Sequence, residues 1–214
     1  MIEIPSFNEL IEKSIISNWD KDALTDFKGA TLQYHDVARK IEKLHIMFES
    51  SGVQRGDKIA LCGRNSSNWA VAFLATLTYG AVAVPILHEF TADQIHNIVN
   101  HSEAKLLFVG DYVATIIDQT KMPDLEGIIY IPDYSLVVSR TDKLTYAREH
   151  LNAMFGEKYP KFFRKEHVHY YREQSPEELT LINYTSGTTG FSKGVMIPYR
   201  AMWSNYDFAM TAVA

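Results

Sequence analysis

Between Asp57 and Ile131, short apolar runs alternate with stretches whose apolar residues recur every three or four positions, and this alternation narrows the choice of fold more than anything else in the chain. Lys58–Cys62, Ala81–Pro85, Lys105–Val109 and Gly127–Ile131 have strand length and are mostly apolar. Runs of that kind suit strands buried on both faces, because a strand with one wet face would alternate apolar and polar. Between them, Ser67 to Tyr79 reads as a helix ended by Gly80. Thr91-x-x-Gln94 reads as a capping box opening a helix that carries Ile95, Ile98 and Val99, and Asp111–Gln119 reads as a third helix. Strand–helix–strand units connect right-handedly and place parallel strands between two helical layers. The expected fold is α/β, a parallel, doubly wound sheet flanked by helices.

The flanks are read by the same rules. Ser6-x-x-Glu9 has the form of a capping box, before a helix with Leu10, Ile11 and Ile15 on one face. Lys28-Gly29-Ala30 is a turn. Asp36 to Ser51 forms a helix with Val37, Ile41, Leu44 and Phe48 on its stripe and Gly52 as its cap. His45 lies beside that stripe and, with no second ligand spaced with it, reads as a packed or partly exposed histidine. Residues 1–56 are expected to form a helical segment that packs on a further part of a larger domain, and 57–214 an α/β unit. Residues 132–176 break the rhythm with a helix over Lys143–Phe155 and a basic, aromatic stretch from Lys158 to Arg172. Thr180–Tyr184 is a strand, and Tyr199–Ala214 places Met202, Trp203, Tyr206 and Met210 at helical spacing as core residues.

Composition excludes several classes. With 214 residues, 46% of them hydrophobic, the chain can build a full α/β core. A formal charge of −5 argues against a general nucleic-acid binder. Aromatics interleaved with cations over 158–172 can bind single strands, but the acidic whole favours a surface excursion with its aromatics turned inward; contact with phosphates of a cofactor is a third reading. Cys62 is the only cysteine, which leaves no disulfide framework and points to a reducing, cytoplasmic setting; its strand position reads as a buried, inert thiol. The N-terminus lacks a basic region followed by an apolar core, so it does not read as a signal peptide. Trp69 to Leu87 is uncharged and long enough to span a membrane, but Gly80 and Pro85 divide it into a helix and a strand.

One stretch carries chemistry. Tyr184-Thr185-Ser186-Gly187-Thr188-Thr189-Gly190-Phe191-Ser192-Lys193-Gly194 sets hydroxyls and glycines between two strand-like runs and closes on a lysine. Glycines let backbone N–H groups converge, and N–H groups, hydroxyls and an ammonium together suit a polyphosphate. It is not the common phosphate loop, because Lys193 is followed by Gly194 and a β-favouring run up to Pro198, with no helix. The dinucleotide fingerprint is absent as well. The residues predicted to hold phosphate are Thr185, Ser186, Gly187, Thr188, Thr189, Gly190 and Lys193; no metal ligand is predicted.

This loop resembles the signature of the adenylate-forming, AMP-binding enzymes, usually Y-T-S-G-T-T-G-x-P-K-G, with Ser192 here in place of the proline. Three earlier segments are similar to that family's landmarks: Thr31 to Val37, Arg55 to Leu61, and Leu77 to Pro85. The resemblance implies ATP and Mg2+, activation of a carboxylic acid to an acyl-adenylate, and transfer to coenzyme A. The flanks, including Pro85-Ile86-Leu87-His88-Glu89-Phe90, look closest to long-chain fatty acid–CoA ligases. The implied partners are small molecules, a fatty acid and CoA, with no transmembrane span and a peripheral membrane contact in the full-length enzyme. The family's adenine- and Mg2+-binding acidic motif, its ribose-binding Asp, its hinge and its late catalytic lysine lie downstream of its loop and have no counterpart in this sequence. The chain is therefore expected to act as an N-terminal piece that is inactive alone. Three alternatives stay open: a stand-alone nucleotide- or phosphate-binding module, a non-catalytic scaffold whose loop binds nothing, and another adenylating branch such as peptide-synthetase adenylation domains or luciferase-like ligases. His88 and Glu89, near the carboxyl edge of the sheet, read as structural.

Overall fold

The computed structural model describes residues 5–185 and 193–213. Two short strands, β1 (Asp22–Thr25) and β2 (Thr31–Gln33), pair antiparallel as a hairpin. The other seven build one sheet: β3 (Lys58–Cys62), β4 (Val82–Ile86), β5 (Ala104–Val109), β6 (Gly127–Tyr130), β7 (Leu136–Ser139), β8 (Leu179–Thr185) and β9 (Lys193–Pro198). Their spatial order is β7-β6-β5-β3-β4-β8-β9. The five inner strands are parallel, while β7 and β9 run antiparallel at the edges. The sheet is thus mixed, where the strand runs alone predicted a parallel one. The reason is linker length: a parallel return needs a crossover of a dozen residues or more, and the links before β7 and β9 are too short for anything but hairpins.

Strand burial follows the sequence argument. In β3, Ile59 and Leu61 enter one core while Ala60 and Cys62 enter the other; in β5, Leu106 and Phe108 oppose Leu107 and Val109. Both faces are buried, so period-two alternation of direction leaves no polar face to read. One face is covered by α1 (Phe7–Ser17), α2 (Tyr34–Ser51), α3 (Ser67–Tyr79), α6 (Asp142–Glu149) and α7 (Leu151–Lys158). The other carries α4 (Ala92–His101) and α5 (Asp111–Ile116). Helix α2, expected to pack on a further part of a larger domain, buries Val37, Ile41, Leu44, Met47 and Phe48 in the same core as β3 and β5.

Caps and turns were legible. Gly52 and Gly80 end α2 and α3 in the left-handed region, at φ 90° and 86°. At Gly80 a Cβ would also lie 2.6 Å from the Tyr171 ring, so the excursion after α7 is seated on this turn. Thr91 and Gln94 make the expected capping box. The Ser6 hydroxyl accepts from Glu9 N, but Glu9 pairs with Lys13 instead of closing its box. Glu173, 167 positions from Ser6, takes that role, accepting from Ser6 Oγ and Phe7 N at 2.6 Å each.

The helix expected over Lys143–Phe155 is two, joined at His150, whose φ −99° and ψ 7° interrupt the helix while the bonds His150 N to Tyr146 O and Met154 N to His150 O persist. The last helix, α8 (Tyr199–Val213), corrects another expectation. Met202 packs half-buried against the core, but Tyr206 and Met210 are 41% and 56% exposed. Tyr199 anchors the first turn of α8 and Tyr206 reaches a groove beside α1, but Phe208 and Met210 stay exposed, so helical spacing overstated how far its apolar stripe is covered.

Candidate functional site

Strand β8 follows β4 in parallel and ends at the carboxyl edge of the sheet, and β9 returns beside it. At the neck of this ribbon Thr185 pairs with Lys193 and Tyr184 with Gly194. Directly opposed residues share a face, so Thr185 and Lys193 lie on one side and Tyr184 on the other. Both Thr185 and Lys193 are exposed. Ser186, Gly187, Thr188, Thr189 and Gly190, the remaining predicted phosphate contacts, lie outside the described residues, as does Ser192.

Two contacts brace the ribbon, one behind its neck and one at its base, and sequence reasoning found neither. Tyr184 is 5% exposed, and its hydroxyl is hydrogen-bonded to His101 Nδ1 at 2.7 Å with the rings nearly perpendicular. Burial raises its pKa and keeps the phenol neutral. A Cβ on Gly194 would sit 3.1 Å from Tyr184 Cζ and 3.0 Å from Ile182 Cγ2, so glycine lets the ring lie flat across β9. On the far side, the Tyr199 hydroxyl donates to Leu77 O and accepts from Asn8 Nδ2. Its pKa is pushed up to about 12 by burial. No local signal in the sequence links His101 to Tyr184 or Asn8 to Tyr199; the pairs meet only through the fold.

The same edge carries a cavity of about 440 Å3 at the ends of β3 and β5, lined by Arg64, Asn65, His88 and Tyr112 among others. These two strands are adjacent and their connections leave in opposite directions, which opens a crevice in doubly wound sheets. The ribbon ends two strands away, roughly 10 Å by strand spacing. The nearby N-terminus of α3 is already satisfied, since Asp26 Oδ1 accepts from Ser67 N at 2.7 Å and Ser66 caps Trp69 N. His88, expected to be structural, lines the cavity, with Nδ1 3.2 Å from Glu89. Cys62 is buried and its thiol pKa is raised to about 12, which makes it inert as read.

Among the described residues there is no cluster of three or more His, Cys, Asp or Glu that could hold a metal. No described helix is long and apolar enough to cross a membrane, and Trp69 to Leu87 is divided between α3 and β4. In the basic, aromatic stretch Phe163 and Tyr170 are buried, while Lys158 and Tyr159 both reach Glu42 at 2.8 Å. Phe162 departs from the inward pattern at 70% exposed.

A family model described as AMP-binding enzyme matches residues 12–213. Among similar curated proteins, a putative acyl–CoA ligase of Bacillus subtilis is 27% identical over 86% of this chain and 34% of its own length. Long chain acyl-CoA synthetase 3 of Arabidopsis thaliana is 27% identical over 77% of this chain and 24% of its own. A crystal structure of a long-chain-fatty-acid-CoA ligase from Archaeoglobus fulgidus superposes with a TM-score of 0.71 at 18% identity, covering 95% of this chain and 38% of that one. The chain thus spans between a quarter and a third of the length of these curated relatives.

Proposed function

Because the chain belongs to the AMP-binding enzyme family, we propose that its β8–β9 ribbon presents the loop that grips the β- and γ-phosphates of ATP in an AMP-forming acid–thiol ligase. The observation that carries this reading is the neck itself: a hydroxyl, Thr185, opposite a cation, Lys193, exposed where a strand–loop–strand leaves the carboxyl edge of the sheet. In such a ligase a carboxylate attacks the α-phosphorus, pyrophosphate leaves, and the thiol of coenzyme A then takes the acyl group. The obstacle is an anion approaching a polyanion. Lys193 offsets charge on the leaving pyrophosphate, and Thr185, Ser186, Thr188 and Thr189 supply hydroxyls or N–H groups, with Gly187 and Gly190 permitting the wrap.

The acid is proposed to be a long-chain fatty acid. Support comes from the names of two relatives and from the Pro85-to-Phe90 continuation. In this reading 57–214 is the phosphate-binding subdomain of a longer ligase, cytoplasmic and touching membranes peripherally, and the chain alone does not turn over. Titration with Mg-ATP tests the first claim. Lys193→Ala should weaken binding roughly tenfold or more, the value of a lost charge-assisted hydrogen bond. Equal affinity of the variant and the native chain would remove Lys193 from the site. Pyrophosphate release with ATP, Mg2+ and palmitate tests the second, with no turnover expected.

A further inference from the structure

On the outer side of α2, Arg39, Lys40 and Lys43 recur at helical spacing, away from the buried stripe of Val37, Ile41 and Leu44. Arg148 of α6 joins them: its Nε donates to Tyr134 O, and Lys40 Nζ lies 5.7 Å from the Tyr134 ring. Desolvation first, then the neighbouring charges of Arg39, Lys40 and Arg148, push the Lys43 pKa down. Among the described residues none has a carboxylate within 4.0 Å, although Asp142, Glu149 and Glu157 lie on the adjoining helices. Lys43 Nζ donates to Asn152 Oδ1 at 2.8 Å, and Arg148 lies near enough to Asp133 to help lower its pKa, so the surplus of positive charge rests on Arg39, Lys40 and Lys43.

Two exposed aromatics, Tyr146 and Phe162, lie on α6 and just after α7. Tyr146, 54% exposed, stacks on His150 at 4.0 Å. Lys43 lies 5.3 Å from the Phe155 ring, which packs on Phe163 at 5.7 Å. Phe163 is the buried anchor of a turn whose next residue back, Phe162, is 70% exposed between Lys161 and Arg164. An anchored turn offering an aromatic ring among cations, beside a field of unpaired Arg and Lys, has the chemistry of an interfacial contact: rings settle at headgroup level and cations meet lipid phosphates.

We propose that the α2–α6–α7 face, with the Phe162 turn, is a docking surface for a bilayer carrying anionic lipid. This rests on the peripheral-contact reading above and assigns it a place; it does not depend on the ATP loop. The test is co-sedimentation of the chain with vesicles of phosphatidylcholine alone and with about one part in four phosphatidylglycerol. Binding should require phosphatidylglycerol, weaken as salt is raised, fall at least tenfold in Arg39→Glu/Lys40→Glu, and fall severalfold in Phe162→Ser. Arg39→Gln/Lys40→Gln, which removes charge without reversing it, should fall between, and unchanged circular dichroism shows that each variant is folded. No binding to either vesicle, equal binding to both, or retention by the folded charge variants would overturn the proposal. Capture on polyglutamate beads without vesicle binding would also overturn it, in favour of an acidic protein partner. Loss of Mg-ATP binding in Lys193→Ala with vesicle binding intact would separate this surface from the loop.

Discussion

At the scale of single residues, buried polar groups are where the chain is most exposed to changes in conditions. His45 shares an aromatic enclosure with Tyr79 and Tyr170, and its Nε2 is hydrogen-bonded to Ala75 O and 3.1 Å from the Thr78 hydroxyl. Burial pushes its pKa down to about 4, so the folded chain holds it neutral. The unfolded chain protonates it near the usual 6.5, so between those values the unfolded state binds the extra proton. Stability is therefore unaffected by this group above pH 6.5 and is lost as pH falls from there towards 4, by up to about 3 kcal/mol. His45→Gln, which keeps a donor for Ala75 O, should flatten that slope in urea unfolding midpoints measured across the window. An unchanged slope would assign the acid sensitivity elsewhere. The sequence placed this histidine beside the core stripe, and its position one step off the stripe carried that information. What held it neutral was not legible, because Tyr79 and Tyr170 come from distant segments.

At the scale of elements, local signals marked the ends well and the partners poorly. Gly52, Gly80 and the Thr91–Gln94 box stand where turn and cap chemistry predicted, since such signals act within a few residues. The edge strand β7 and the hairpin β1–β2 went unread: each is three or four residues long, too short for a period to register. The α1 cap was half read, because Ser6 is local and Glu173 is not. That contact yields a test. Glu173→Ala removes two acceptors from the start of α1 and should cost about 1–2 kcal/mol locally. Hydrogen exchange should quicken across Phe7–Ser17 while β3 and β5 keep their protection. Uniform quickening would mean instead that α1 melts only with the whole sheet. For the candidate site, the strand–loop–strand was legible from its apolar flanks, while the His101–Tyr184 brace was not, because the two residues lie 83 positions apart.

At the scale of the whole molecule, exposed apolar side chains are scattered from Phe27 to Phe162, but several fall close together in the last two elements. Val195 and Met196 are 50% and 68% exposed, and Phe208 and Met210 are 72% and 56%. Adjacent positions on a strand face opposite ways, so β9 is apolar on both faces as well as open along its outer edge. Surfaces of this kind drive association when left bare. Sedimentation velocity on the isolated chain should show mass rising with concentration, and Met196→Lys/Phe208→Lys should return it towards monomer. A native chain that stays monomeric throughout would show that the strip is tolerated in water. The sequence misjudged this region because helical spacing reports which residues share a face, not whether anything lies against it. The ribbon has one more consequence. Pro198 ends β9 and Tyr199 begins α8 with no residue between, and Tyr199 is pinned to Leu77 and Asn8. The ribbon and the fifteen-residue helix are therefore one continuous segment, fastened to α3 and α1 at Tyr199.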